Sequence, residues 1–114
     1  MSGNVTVKPV SAKLTRDTDF FSKMDPYVKL KFNGQEFKSK VVSGGGKNPN
    51  WTDVFNFRKG GSDSDLLKIE VWDSDSVSAD DLVGEGAFTL SKVAKGGSTT
   101  EWVNISYQGK GAGQ

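Results

Sequence analysis

The chain has 114 residues, 34% of them hydrophobic and 25% charged, enough for one domain with a single packed core. Its 15 basic and 14 acidic side chains leave a net charge of +1, which argues against a protein that coats nucleic acid. It has no cysteine and no histidine, so disulfides, thiolate chemistry, Ser-His-Asp triads and the usual zinc or copper sites are excluded.

Apolar residues alternate with period two in short segments separated by Gly, Asn, Pro, Ser and Asp, the pattern of an all-β sandwich. Residues 5–8 read as a first strand, and Pro9 calls for an edge or a bulge beside it. Residues 27–32 and 35–42 read as a hairpin, because Asn33-Gly34 supplies the positive φ angles of a type I′ turn. Segments 54–57, 66–72, 82–90 and 101–107 complete seven strands, and Gly84 and Gly86 interrupt the sixth. A short helical turn is placed at 91–94, and residues 109–114 read as a flexible Gly-rich tail outside a core of 5–108. Trp51, Phe55, Phe57 and Trp102 are assigned to that core. The N-terminus lacks the basic start and apolar run of a signal peptide. No segment approaches the roughly 20 apolar residues of a membrane span, so a cytoplasmic domain is expected.

Seven of the ten aspartates fall within 17–25 and 73–81, two stretches that flank predicted strands. Carboxylates brought together repel one another unless a cation neutralises them. Calcium, with six to eight oxygen ligands in flexible geometry, suits such a cluster, and magnesium ranks second. An EF-hand starting at Asp73 fails, because its sixth position is Ser78 rather than Gly and its twelfth is Gly84 rather than Glu. The competing reading is a pair of solvated, turn-forming loop tips.

Four groups of residues decide between these readings: Ser22-Lys23-Met24-Asp25-Pro26-Tyr27-Val28, Lys47-Asn48-Pro49-Asn50-Trp51, Val71-Trp72-Asp73-Ser74-Asp75 and Asp80-Asp81-Leu82-Val83-Gly84. In combination they resemble a C2 domain, the calcium-dependent phospholipid-binding sandwich, over residues 5 to about 108. The resemblance implies an antiparallel eight-stranded Greek-key β-sandwich of permuted topology, with three loops at one end forming a calcium site. By position, the ligand carboxylates it implies are Asp19, Asp25, Asp73, Asp75 and Asp81, with the carbonyls of Thr18 and Ser74 adding oxygens. Asp19 is preferred to Asp17 for its six-residue offset to Asp25. Five filled positions imply two or three calcium ions, with lipid phosphate completing the coordination. Phe20, Phe21, Met24 and Val77 stand among these ligands and are candidates for membrane insertion, although one phenylalanine of the pair can instead fold into the core.

A two-residue Asn33-Gly34 turn pairs Phe32 with Gln35, Lys31 with Glu36, Leu30 with Phe37, Lys29 with Lys38, and Tyr27 with Lys40. Pleat alternation then puts Tyr27, Lys29, Lys31, Lys38 and Lys40 on one face, and Val28, Leu30, Phe32, Phe37 and Ser39 on the other. A facing Lys29–Lys38 pair is unfavourable by itself, and a bound anion would relieve it. The resemblance sets Trp72 beside these lysines, a surface similar to the one that protein kinase C-type C2 domains use for phosphoinositides. The plain alternative is a solvated lysine face that blocks edge pairing.

Gly44-Gly45-Gly46-Lys47 is not a phosphate loop, since Asn48 replaces the required Ser or Thr. Paired aspartates serve some glycosidases, but no separate substrate cleft is suggested, so no enzyme is expected. The family's closing strand finds no segment here, and the last strand is expected to be missing or truncated, which would expose two sheet edges. The sequence therefore describes a monomeric signalling module. It is recruited on a calcium rise to membranes containing phosphatidylserine and phosphoinositides. The alternative is a calcium-independent scaffold module whose lysine face binds an acidic protein partner.

Overall fold

In a computed structural model that describes residues 3–16, 23–32, 34–59, 66–75, 79–90 and 100–114, the period-two segments form antiparallel strands. They are β1 (Gly3–Val7), β2 (Pro26–Phe32), β3 (Gln35–Lys38), β4 (Phe55–Lys59), β5 (Leu66–Asp73), β6 (Asp81–Thr89), β7 (Ile105–Tyr107) and β8 (Lys110–Gly113). One sheet has six strands in the order β3-β2-β5-β6-β7-β8, and the other pairs β1 with β4. β1 ends two residues before Pro9, so the missing N–H falls outside the ladder.

The sheets meet through alternate apolar residues of facing strands. Phe57 of β4 packs edge-on against Phe32 of β2 and Phe37 of β3, with centroids at 5.9 and 4.8 Å, and Phe55 stacks on Phe37 at 5.4 Å. Offset and edge-to-face pairs of this kind add roughly 0.5–1.5 kcal/mol each to simple burial. Met24, Leu30, Trp51, Leu67, Val71, Val83 and Ile105 extend the buried cluster. Trp51 and Phe57 thus take their expected core places, and Phe55 packs half-buried against the cluster. Trp102 does not. It is 50% exposed, and Lys13 Nζ lies 5.1 Å from the ring centroid.

Of two glycine-rich segments, one forms as read and one is a correction. The strand read over 82–90 forms as β6, Asp81–Thr89, and its glycines admit close neighbours. A Cβ on Gly86 would lie 2.4 Å from the Asn104 carbonyl oxygen, and one on Gly84 would lie 2.8 Å from Ala112 Cβ. Residues 109–114 are not a loose tail, and the closing strand is not missing. Gln108 (φ 49°) and Gly109 (φ 80°) make a two-residue turn of I′ type that returns β8 along β7, and Ala112 is fully buried. The far edge of β8 is covered as well. Lys13 N–H donates to the Gln114 carbonyl (2.7 Å), Gln114 N–H to that of Lys13 (3.0 Å), and Thr15 N–H to that of Ala112 (2.9 Å). The helical turn expected at 91–94 lies outside the described residues.

Candidate functional site

The order β2-β5-β6 brings the two aspartate-rich segments to one end of the large sheet. Pro26 opposes Asp73, and Asp73 opposes Asp81. Directly opposed residues of antiparallel strands have Cα atoms only about 4.5–5.5 Å apart, so Asp73 lies close to Asp81 on one side and to Pro26, the residue after Asp25, on the other. A bulge sets the last of these contacts. Val71 opposes Gly84 but Trp72 opposes Leu82, and the extra residue, Val83, shifts the register so that Asp73 meets Asp81 rather than Leu82.

Hydrogen bonds orient this end. Asp25 N–H donates to Asp73 Oδ1 (2.8 Å), Ser74 N–H to the Asp25 carbonyl (3.0 Å), and Gly44 N–H to Asp25 Oδ1 (2.7 Å). Gly44 has φ 67°, the left-handed geometry that glycine tolerates, and through it the 43–46 segment holds the Asp25 carboxylate. Asp73 is buried, Asp25 half-buried, and Asp75 and Asp81 are exposed. Asp80 plays a different part, accepting the Tyr27 hydroxyl proton and the Asp75 N–H. These bonds give Asp80 the part of a loop brace.

The donors at this end are carboxylate and carbonyl oxygens, a set suited to calcium and unsuited to softer metals. Among the described residues no three acids converge closely enough to enclose an ion. Asp19, Thr18, Phe20, Phe21 and Val77 lie outside the described residues. Met24 is a correction. It is fully buried within the core, so it is a packing residue and not a membrane-inserting one.

The lysine face forms on β2, β3 and β5 with the register read from the Asn-Gly turn: Lys29 opposes Lys38, Leu30 opposes Phe37, Lys31 opposes Glu36, and Phe32 opposes Gln35. Ser39 turns inward as expected, accepting Val28 N–H on Oγ (2.8 Å) and donating its own N–H to the Val28 carbonyl (2.8 Å). Beyond it the pairing slips by one residue. Val42, not Val41, donates to the Pro26 carbonyl (2.9 Å), while Lys40 N–H turns to Asp53 Oδ2 (3.1 Å). The predicted Tyr27–Lys40 pair is therefore absent from the β2–β3 ladder, while on its other side Tyr27 opposes Trp72 of β5.

Repulsion between Lys29 and Lys38 is relieved by aromatic faces. Lys29 Nζ lies 4.6 Å from the centroid of Trp72, and Lys38 Nζ lies 4.3 Å from that of Tyr27. Tyr27 is 2% exposed, so it is a bed for Lys38 and not itself a contact surface. Sequence reasoning missed Glu70. This buried carboxylate accepts the Trp72 indole N–H on Oε1 (3.0 Å), while Lys31 and Lys68 approach Oε2 at 3.3 and 3.5 Å. Burial pushes its carboxyl up, but the Trp72 and Lys31 hydrogen bonds and the Lys31 and Lys68 charges hold it below the usual carboxylate value. The signal was available, because Glu70 shares its strand parity with Lys68 and Trp72.

Comparison with known proteins agrees with this architecture. The C2 domain family model matches residues 3–105. Elicitor-responsive protein 3 of Oryza sativa subsp. japonica is 40% identical over 98 residues, which cover 86% of this chain and 67% of that protein. The 16 kDa phloem protein 2 of Arabidopsis thaliana is 40% identical over 96 residues, covering 84% and 65%. A solved C2 domain-containing protein superposes with a TM-score of 0.81 at 35% identity, covering 98% of this chain and 82% of that one. The chain spans about two thirds of the length of the two plant relatives. With the family match running from β1 to the start of β7, the chain belongs to the C2 domain family.

Proposed function

We propose that this domain docks on anionic phospholipid membranes in response to calcium. The observation that carries the reading is the end of the β2-β5-β6 sheet, where Asp73 opposes Asp81 and accepts the Asp25 N–H. Three like charges so placed repel one another, and a divalent cation converts that cost into affinity. Asp19 and Asp75 complete the carboxylate set, with the Thr18 and Ser74 carbonyls, for two or three ions. Bound calcium supplies positive charge and open coordination positions for lipid phosphate. The chain itself supplies orientation, because the N–H groups of Asp25 and Gly44 fix the Asp73 and Asp25 carboxylates. Phe20, Phe21 and Val77 are the residues that enter the bilayer surface. Each buried side chain of this size adds roughly 1.5–3 kcal/mol.

The lysine face is the second contact and takes phosphoinositide headgroups through Lys29, Lys38 and Lys40, beside Trp72 and over Tyr27, with Lys31 on the same face but paired to Glu70. The domain acts by recruitment from the cytoplasm to the membrane surface and carries out no catalysis. Calorimetric titration with calcium tests the core of the reading. We expect heat of binding for the folded domain and its loss in Asp73→Asn. A folded, unmodified domain that takes up no calcium would overturn it in favour of a protein-binding lysine face.

A further inference from the structure

Resting on the headgroup reading of the lysine face, we infer that Glu70 decides which lysines take the ligand, reserving Lys29 and Lys38 for it and withholding Lys31. Glu70 is the face's own counter-anion. Both Lys31 and Lys68 point at its Oε2, at 3.3 and 3.5 Å. The carboxylate cannot swing aside freely, because its other oxygen holds the Trp72 indole N–H at 3.0 Å and the residue is buried. An incoming phosphate that sought Lys31 would therefore compete with a fixed, buried anion and be repelled by it.

Lys29 and Lys38 stand in the opposite condition. Among the described residues neither forms an ion pair, and each ammonium rests over a ring, Trp72 for Lys29 and Tyr27 for Lys38. A cation on an aromatic face keeps its full charge and its outward N–H donors. The two lysines are directly opposed across the hairpin, so one phosphate group can span them, while the nearby Asp80 carboxylate, which feels both charges, is engaged by the Tyr27 hydroxyl and the Asp75 N–H. Glu70 thus has two effects at once. It pins the indole under Lys29, and it neutralises the neighbouring half of the face.

The test uses the 114-residue chain with phosphatidylcholine–phosphatidylserine vesicles in calcium, with and without phosphatidylinositol bisphosphate. The readout is the ratio of the two affinities, which isolates the headgroup term. Lys29→Ala and Lys38→Ala should each lower the ratio about fivefold, the scale of one charge-assisted contact, while Lys31→Ala changes it less than about twofold. In Glu70→Gln, which keeps an acceptor for Trp72, the ratio should rise and Lys31→Ala should now cost about fivefold. Equal losses from Lys31→Ala and Lys29→Ala in the unmodified chain would overturn the inference. That comparison stands even if Glu70→Gln fails to fold, because these lysines are partly or fully exposed. A ratio near one for the unmodified chain would instead remove the headgroup reading itself, and the inference with it.

Discussion

The Tyr27 hydroxyl donates to Asp80 Oδ2, so the strand that builds the lysine face is fastened to the loop that builds the aspartate end. Asp80 Oδ1 accepts the Asp75 N–H at 2.9 Å, extending the tie to a proposed ligand. The Asp75 N–H first, then the Tyr27 hydroxyl, with help from the Lys38 and Lys29 charges, holds the Asp80 carboxyl below its usual range. Burial, then Asp80 itself, pushes the Tyr27 phenol well above its usual value. At neutral pH the phenol is therefore the donor and the carboxylate the acceptor.

Removing the hydroxyl tests the tie. Tyr27→Phe keeps the ring beneath Lys38 and should cost about 1.5–3 kcal/mol of stability, the scale of a hydrogen bond to a charged group. Asp80→Asn in that background should cost less than it does alone, because the two residues share one bond. Urea denaturation of the four proteins of this cycle gives the coupling. Strict additivity would mean that the two residues do not interact.

Acid stability should depend on Glu70. Its carboxyl is held below the usual value of 4.5, against the push of burial, by the Trp72 and Lys31 hydrogen bonds and the Lys31 and Lys68 charges. A group depressed on folding contributes stability above its unfolded value, and that contribution is lost as pH falls through its folded value. Glu70→Gln should therefore flatten the fall in Tm below about pH 4.5. Parallel Tm–pH curves for the variant and the unmodified chain would contradict this.

The closing strand makes a sharper prediction. Gly113 has φ 126°, and a Cβ there would lie 2.2 Å from the Lys13 carbonyl oxygen and 2.8 Å from Leu14 Cα, both backbone atoms. Gly113→Ala should destabilise the fold by about 2 kcal/mol or more and speed amide exchange at Lys13 and Thr15. Gly111→Ala, with nothing within 4 Å of the added carbon, is the matched control and should be nearly silent.

Met24 and the neighbouring phenylalanines should separate cleanly. Met24→Ala should cost about 2–5 kcal/mol as a core truncation. Its membrane affinity per folded molecule should be unchanged. Phe20→Ser or Phe21→Ser should leave the melting temperature near that of the unmodified chain and weaken vesicle retention. Thermal melts paired with vesicle partitioning distinguish the two patterns.

These cases show where sequence was informative and where it was not. The β2–β3 register was legible from Phe32–Gln35 to Lys29–Lys38, because an Asn-Gly turn fixes loop length and period two then fixes the pairs near it, but not beyond Ser39, where the pairing slips. The lysine face followed from the same alternation. β8 was not legible, because glycine-rich sequence reads as loose chain. Its order comes from two remote facts, room above Gly84 for Ala112 and backbone partners at Lys13 and Thr15. Met24 and Trp102 were misplaced for a related reason. Identity marks a residue as apolar, but only the packing of distant strands decides which side of the sheet covers it. The bulge at Val83 is likewise a property of the β5–β6 pair and not of either strand alone, yet it is what sets Asp81 against Asp73.

The central claim is best tested by co-sedimentation with phosphatidylserine vesicles, in calcium and in chelator, with phosphatidylcholine vesicles as control. The account predicts pelleting only when calcium and the anionic lipid are both present, abolished by Asp73→Asn. Pelleting that persists in chelator would contradict it and move the function to the lysine face. Absence of pelleting by folded protein in calcium would contradict membrane docking altogether.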